Sequence, residues 1–178
     1  MARTISPVHQ PWPVWTNADL QLYHGTTTTR VESILQHGID VMRGSAMADF
    51  GRGFYTTTDE GNARLWSQRK ANTLQGQAAL IRLTFGRLAL SKLQSIVFVR
   101  SEVSASDYWS FVAHCRSGLP HRPETGDFYD IAYGPVAKVW FGVSNSATFA
   151  GYDQISFHTK AAQDMLNDRS ACALELLS

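Results

Sequence analysis

Little in this chain is in excess. Only two of its 178 residues are cysteine, Cys115 and Cys172, 57 positions apart in unrelated segments. They make no metal or redox motif and fit a reduced compartment. Charge of one sign is also missing, because 16 Lys and Arg against 15 Asp and Glu leave a formal +1. No overall basic field points at nucleic acid, although a local patch stays compatible with that sum. Apolar runs stop short of the ~18 residues that read as a membrane span. The opening MARTISPVHQPWPVW has no apolar core and does not read as a secretory signal. No internal repeat and no low-complexity tract is visible. What remains is globular: 44% apolar and 17% charged residues exclude a wholly disordered chain, and the length suits one domain.

Residues 1–20 are expected as an N-terminal arm. Pro7, Pro11 and Pro13 deny it regular structure, while Trp12 and Trp15 argue that it packs on something. Residues 21–178 are expected as a single domain. Alternation over Leu20–Thr26 predicts a strand ended by Gly25, and 28–37 a helix capped by Thr28 or Thr29 with Gly38 at its end. Phe54–Thr57 reads as a strand after a loop made supple by Gly51 and Gly53. A helix capped by Thr58 or Asp59 follows, running to about Ala71 with Arg69 and Lys70 in its last turn. Strands are predicted at 78–85, 95–99, 128–133 (ended by Gly134-Pro135) and 155–159, and helices at 105–117 and over Lys160–Asn167, with the apolar positions of the last helix followed as far as Leu177. The mixed order without a regular βαβ repeat indicates α+β.

Three segments put polar or aromatic groups beside strand ends: LYHGTT (22–27), DFGRGFYTT (49–57) and YDQISFHT (152–159). Taken alone, His24 reads as a packed or surface histidine. Gly25 beside it offers a backbone without Cβ, which a flat ligand bearing a carboxamide could approach closely. Tyr55 and Trp66 stand 11 positions apart on a strand and the helix after it. Their rings could clamp a flat cationic ring, or simply fill core. Arg52 could reach a phosphate or stay solvated. By strand period Ile155 and Phe157 face the core, and Gln154, Ser156 and His158 face the other side. There Gln154 could bond a sugar hydroxyl, while Ser156 and His158 read as solvent-facing. Tyr108 and Arg116 could contact nucleic acid, but read better as solvated surface. His114 and His121 stand in a helix and a loop without partners, and no group with ligand spacing suggests a metal.

The combination resembles the ADP-ribosyltransferase superfamily of the diphtheria-toxin and poly(ADP-ribose) polymerase type, known by its His-Tyr-Glu triad. More closely it resembles the bacterial family of unknown function DUF3990. LYHGT (22–26), DFGRGFYTT (49–57), WSFVAHCR (109–116), YDIAYGPVA (129–137) and YDQISFHT (152–159) carry the likeness in order. The resemblance implies a split β-sheet core with flanking helices and NAD as substrate, with no metal. It implies catalytic roles for His24, Tyr55 and Gln154, and NAD contacts from His24, Gly25, Thr26, Arg52, Tyr55, Trp66 and Asp153. His24 would hold the adenosine ribose, Gly25 the nicotinamide carboxamide, and Tyr55 and Trp66 the nicotinamide ring. The third place, usually glutamate, falls to Gln154 or to its neighbour Asp153. Gln154 is favoured by its strand phase, keeping an acceptor oxygen without the charge. The implied activity is mono-ADP-ribosyl transfer to a macromolecular acceptor, as in a toxin or effector. Such a protein would act in a cytoplasm, its own or a target cell's, and would be matched by an antitoxin or immunity protein. An NAD glycohydrolase and a non-catalytic NAD- or nucleotide-binding module are the alternatives.

Overall fold

A computed structural model describes residues 18–99, 102–139 and 148–177. The arm expected over residues 1–20 lies almost wholly outside the described residues, and Leu20 already opens the first strand. In chain order the elements are β1 (Leu20–Thr27), α1 (Thr28–His37), β2 (Phe54–Thr56), α2 (Glu60–Leu74), β3 (Ala78–Phe85), α3 (Arg87–Leu90) and β4 (Ser95–Val97). Then come α4 (Glu102–Arg116), β5 (Ile131–Val139), β6 (Thr148–Phe157), α5 (Lys160–Asn167) and β7 (Cys172–Leu177). The fold is α+β. One sheet has the order β1-β3-β7 and the other β2-β6-β5-β4. All neighbours are antiparallel except β4 and β5.

Strand alternation builds two cores. Leu22, Ile81, Leu83 and Phe85 of the first sheet meet Phe54, Ile131, Ile155 and Phe157 of the second, and Val31 of α1 and Leu166 of α5 close the ends. Phe157 and Phe85 stack at 5.9 Å. The opposite face of the second sheet carries Ala132 and Tyr55 and packs on Phe50, Phe98, Tyr108 and Val112, with Tyr108 and Val112 supplied by α4. That face is covered by α4 and by the segment after it, whose His121 and Phe128 rings lie against His158, so Ser156 and His158 are buried, not solvent-facing as the alternation alone suggested. Ser156 Oγ lies 2.8 Å from His158 Nε2, and His158 Nδ1–H donates to the Arg52 carbonyl at 2.8 Å.

Several boundaries differ from the sequence reading. Residue 27, not 28 or 29, is the N-cap of α1, and it makes no side-chain cap bond. Asp59 caps α2 by accepting from the Asn62 N–H at 2.9 Å, as one alternative had it. That helix runs on to Leu74, so Lys70 sits a turn inside its end. β5 continues through Gly134-Pro135 with an irregular register, beyond the last β4 pairing at Val97–Tyr133, so the missing proline N–H forfeits no partner there. β6 begins seven residues earlier than expected. α5 keeps the shorter of the two expected bounds, Lys160–Asn167, and residues 172–177 form a strand beside β3 instead of extending that helix. Alternation from buried Cys172 to exposed Glu175 fits that strand period, and Leu176 is exposed.

Candidate functional site

A cavity of about 920 Å³ is lined by β1, β2, α1, α2, the turn over 38–49 and the β5–β6 pair. Its floor begins at β1. Tyr23 exchanges both backbone bonds with Thr57, at 2.8 and 3.0 Å, so its N–H and C=O point away from β3. Gly25, two residues on, turns its own N–H and C=O the same way, along the edge that lines the cavity. Its lack of a side chain has a cause apart from ligand approach. A Cβ there would lie 2.0 Å from the Ala63 carbonyl oxygen and 2.8 Å from the Ser67 nitrogen, so glycine is what lets α2 rest on β1. The Gly25 carbonyl accepts from Lys70 Nζ at 2.7 Å.

His24 is locked in one state. Its ring stacks on Phe54 at 4.3 Å and its Nδ1 donates to the Tyr55 carbonyl at 2.6 Å. Burial, with the Lys70 charge adding to it, pulls its pKa down to about 3, so the ring is neutral. With the proton on Nδ1, Nε2 is a bare acceptor, and among the described residues it has no hydrogen-bond partner. Thr26 is buried nearby, and its Oγ1 likewise has no partner.

Tyr55 lines the cavity and pins a loop with its hydroxyl. The hydroxyl donates to the Gly51 carbonyl at 2.7 Å and accepts from the Phe50 N–H at 2.9 Å. The loop expected to be supple is thus held, with Gly51 at φ +75° making its turn. Burial raises the Tyr55 phenol well above its ordinary pKa, so it stays protonated. Trp66 lines the same cavity and is 41% exposed. Tyr55 meets His158 edge-on and Trp66 sits under the Arg69 guanidinium.

The third place carries more than the sequence reading foresaw. Gln154 is buried, and its Nε2 donates to Asp49 Oδ2 at 2.7 Å and to the Pro135 carbonyl at 3.1 Å. Both partners only accept, which fixes the amide orientation and leaves Oε1 uncommitted in the cavity wall. Asp49 is only 6% exposed. It also accepts from the Ala137 N–H at 2.9 Å and forms an ion pair with Arg116. Asp153 lies on the opposite face of β6, accepting from the Thr58 and Tyr133 hydroxyls at 2.8 Å each, and it too reaches the cavity.

Of the expected set, His24, Gly25, Thr26, Tyr55, Trp66, Asp153 and Gln154 therefore share one cavity. Arg52 does not join them. Its side chain is exposed and leans on the Met42 carbonyl at 3.5 Å. Arg30, Arg43, Lys70 and Arg116 are the cations that line the cavity instead. Arg116 and Tyr108 are not solvated surface. Arg116 holds Asp49, and Tyr108 is buried with its hydroxyl on the Pro135 carbonyl at 2.8 Å. His114 and His121 do have partners, the carbonyls of Pro120 and Phe50. No group of three or more His, Cys, Asp or Glu able to hold a metal occurs among the described residues. Both cysteines are free and buried, and burial pushes their thiols up to about 12. No helix of the described residues is long and apolar enough to cross a membrane.

Sequence reasoning missed Asp49 and Lys70. Asp49 opens the DFG segment, but its partners come from β5, β6 and α4. Lys70 had a visible signal, since it follows Trp66 by four positions and so lies on the same helix face. Residues 20–141 match the family described as a protein of unknown function, DUF3990, and the chain belongs to that family. No curated protein matches the chain.

Proposed function

We propose that the cleft binds NAD and that the protein is a mono-ADP-ribosyltransferase acting on a macromolecule. One observation carries the reading: an aromatic pair, the Gly25 backbone edge and a neutral histidine acceptor line a single cavity. In this reading the nicotinamide ring lies between Tyr55 and Trp66, with the Gly25 N–H on its 3-carbonyl oxygen. His24 Nε2 accepts from the adenosine ribose, with Thr26 Oγ1 beside it. Gln154 Oε1 accepts from the 2′-hydroxyl of the nicotinamide ribose.

The bond from ribose C1′ to the pyridinium nitrogen then breaks, and its electron pair leaves with the ring as neutral nicotinamide. The ribose carbon becomes oxocarbenium-like and is captured by an acceptor nucleophile, which loses its proton. The clamp supplies orientation, and the acceptor oxygens favour developing positive charge. An amide in the third place contributes a dipole where a carboxylate would contribute charge. This suits single transfer to a nucleophile already reactive, as in a toxin or effector held in check by a neutralising protein.

A second reading follows from the same amide. With Gln154 uncharged and clamped by Asp49, the cleft could hold NAD without cleaving it. Adenylate-labelled NAD incubated with protein and cell lysate separates these, the products being split between protease and nuclease. Transfer reduced to background in Trp66→Ala supports the proposal, and the treatment that removes the label names the acceptor class. Free ADP-ribose as sole product indicates a glycohydrolase. Saturable binding without turnover indicates a binding module.

A further inference from the structure

The inference that follows rests on this reading of the cleft and concerns which pyridine it takes. An amide NH₂ on the ring needs an acceptor, and the Gly25 carbonyl is the one that the β1 edge offers. Lys70 Nζ already occupies it at 2.7 Å. Lys70 sits one helical turn past Trp66 on α2, half-buried, and faces the same cavity as Arg30. Among the described residues neither cation has an ion-pair partner. The carboxylates of the cavity are engaged elsewhere: Asp49 with Arg116, Asp40 with Arg43, and Asp153 with two hydroxyls. Burial and the Arg30 charge lower Lys70 only to about 8, so it remains an ammonium at neutral pH.

With its carbonyl covered, this end of the slot presents donors alone: the Gly25 N–H and the remaining Lys70 N–H groups. We infer that Lys70 makes the slot selective for a pyridine 3-carboxylate over a 3-carboxamide, so that the nicotinic acid form of the dinucleotide is preferred to NAD itself. A carboxylate keeps the Lys70–Gly25 bond and adds a charge-assisted one. It also cancels the ring's positive charge beside two cations. A carboxamide either leaves its NH₂ without an acceptor or drives the ammonium off Gly25, stranding a half-buried charge. The cleavage step stays balanced, because the C1′–nitrogen bond breaks with its pair going to the ring, and nicotinate departs in place of nicotinamide.

Calorimetric titration of the full chain with the two dinucleotides tests this, in wild type and in Lys70→Met. The expected result is an acid form bound about tenfold tighter by wild type, one charge-assisted bond's worth. Lys70→Met uncovers the Gly25 carbonyl and should reverse the order. A wild type that prefers NAD overturns the inference without any variant and leaves the transferase reading standing. A ratio unchanged in a folded Lys70→Met protein does the same. A wild type that binds neither dinucleotide overturns the reading of the cleft, and the inference with it.

Discussion

Gln154 Nε2 donates to Asp49 Oδ2 at 2.7 Å, which brings a carboxylate from the 49–53 loop against the residue in the third place of the site. The contact explains why an amide suits this position. A glutamate would set a second carboxylate beside Asp49 and the Pro135 carbonyl, with no donor between them. Gln154→Glu is therefore expected to lose about 1–3 kcal/mol of stability by urea denaturation. Asp49→Asn combined with Gln154→Glu should recover part of that loss, since it leaves one charge in the cluster to face Arg116. Equal stability of Gln154→Glu and wild type would show that the contact does not constrain the site.

The two aromatic residues of the slot should separate cleanly. Trp66 is 41% exposed, so Trp66→Ala is expected to stay within about 0.5 kcal/mol of wild-type stability while losing dinucleotide binding. Tyr55→Phe keeps the ring but strands the Phe50 N–H and the Gly51 carbonyl, at a cost of about 1–3 kcal/mol. Binding measured beside thermal melts decides this. Trp66→Ala with wild-type affinity would remove Trp66 from the slot.

Gly25→Ala tests the joint between β1 and α2. Its Cβ would lie 2.0 Å from the Ala63 carbonyl oxygen, a backbone atom of a helix that cannot rotate away. A loss of about 1–3 kcal/mol or more is expected, together with displacement of Trp66 and Lys70 from the cavity. A wild-type melt for this variant would mean that α2 shifts freely on the sheet.

Stability should fall on acidification. His24 and His158 have folded pKa values held down to about 3 by burial, against an ordinary 6.5 unfolded. The unfolded chain therefore binds more protons between those limits. The stability that comes from keeping the rings neutral is whole above about pH 6.5 and is lost progressively as pH falls towards 3. At pH 5 each ring costs about 2 kcal/mol. Urea midpoints at pH 7 and pH 5 measure the drop, and His158→Gln should make it shallower. A flat response between those pH values would show that neither ring is held neutral.

Much of the framework was legible in the sequence because it is local. The helix over 28–37 and the strand over 78–85 follow from spacing that neighbours along the chain enforce, and the Asp59 cap is a bond to Asn62, three residues away. The eleven-residue step from Tyr55 to Trp66 spans one strand, one turn and half a helix, so the two could be read as partners. The errors fell where distant chain decides. Gly134-Pro135 looks like a strand end until β6 is seen pairing through it. CALELL looks like a helix tail until β3 supplies an edge.

The sequence by itself determined the α+β class, the family and which short segments would meet at a site, since these depend on residue pattern and order. Tertiary structure alone decided that His158 and Ser156 are buried, because α4 and the His121–Phe128 segment cover a sheet face whose alternation cannot report its neighbours. It also decided that Arg52 stays outside the cavity while Lys70 enters it. And it decided that Asp49 commits the Gln154 amide: residues 105 positions apart share one hydrogen bond, and nothing in either segment encodes that distance.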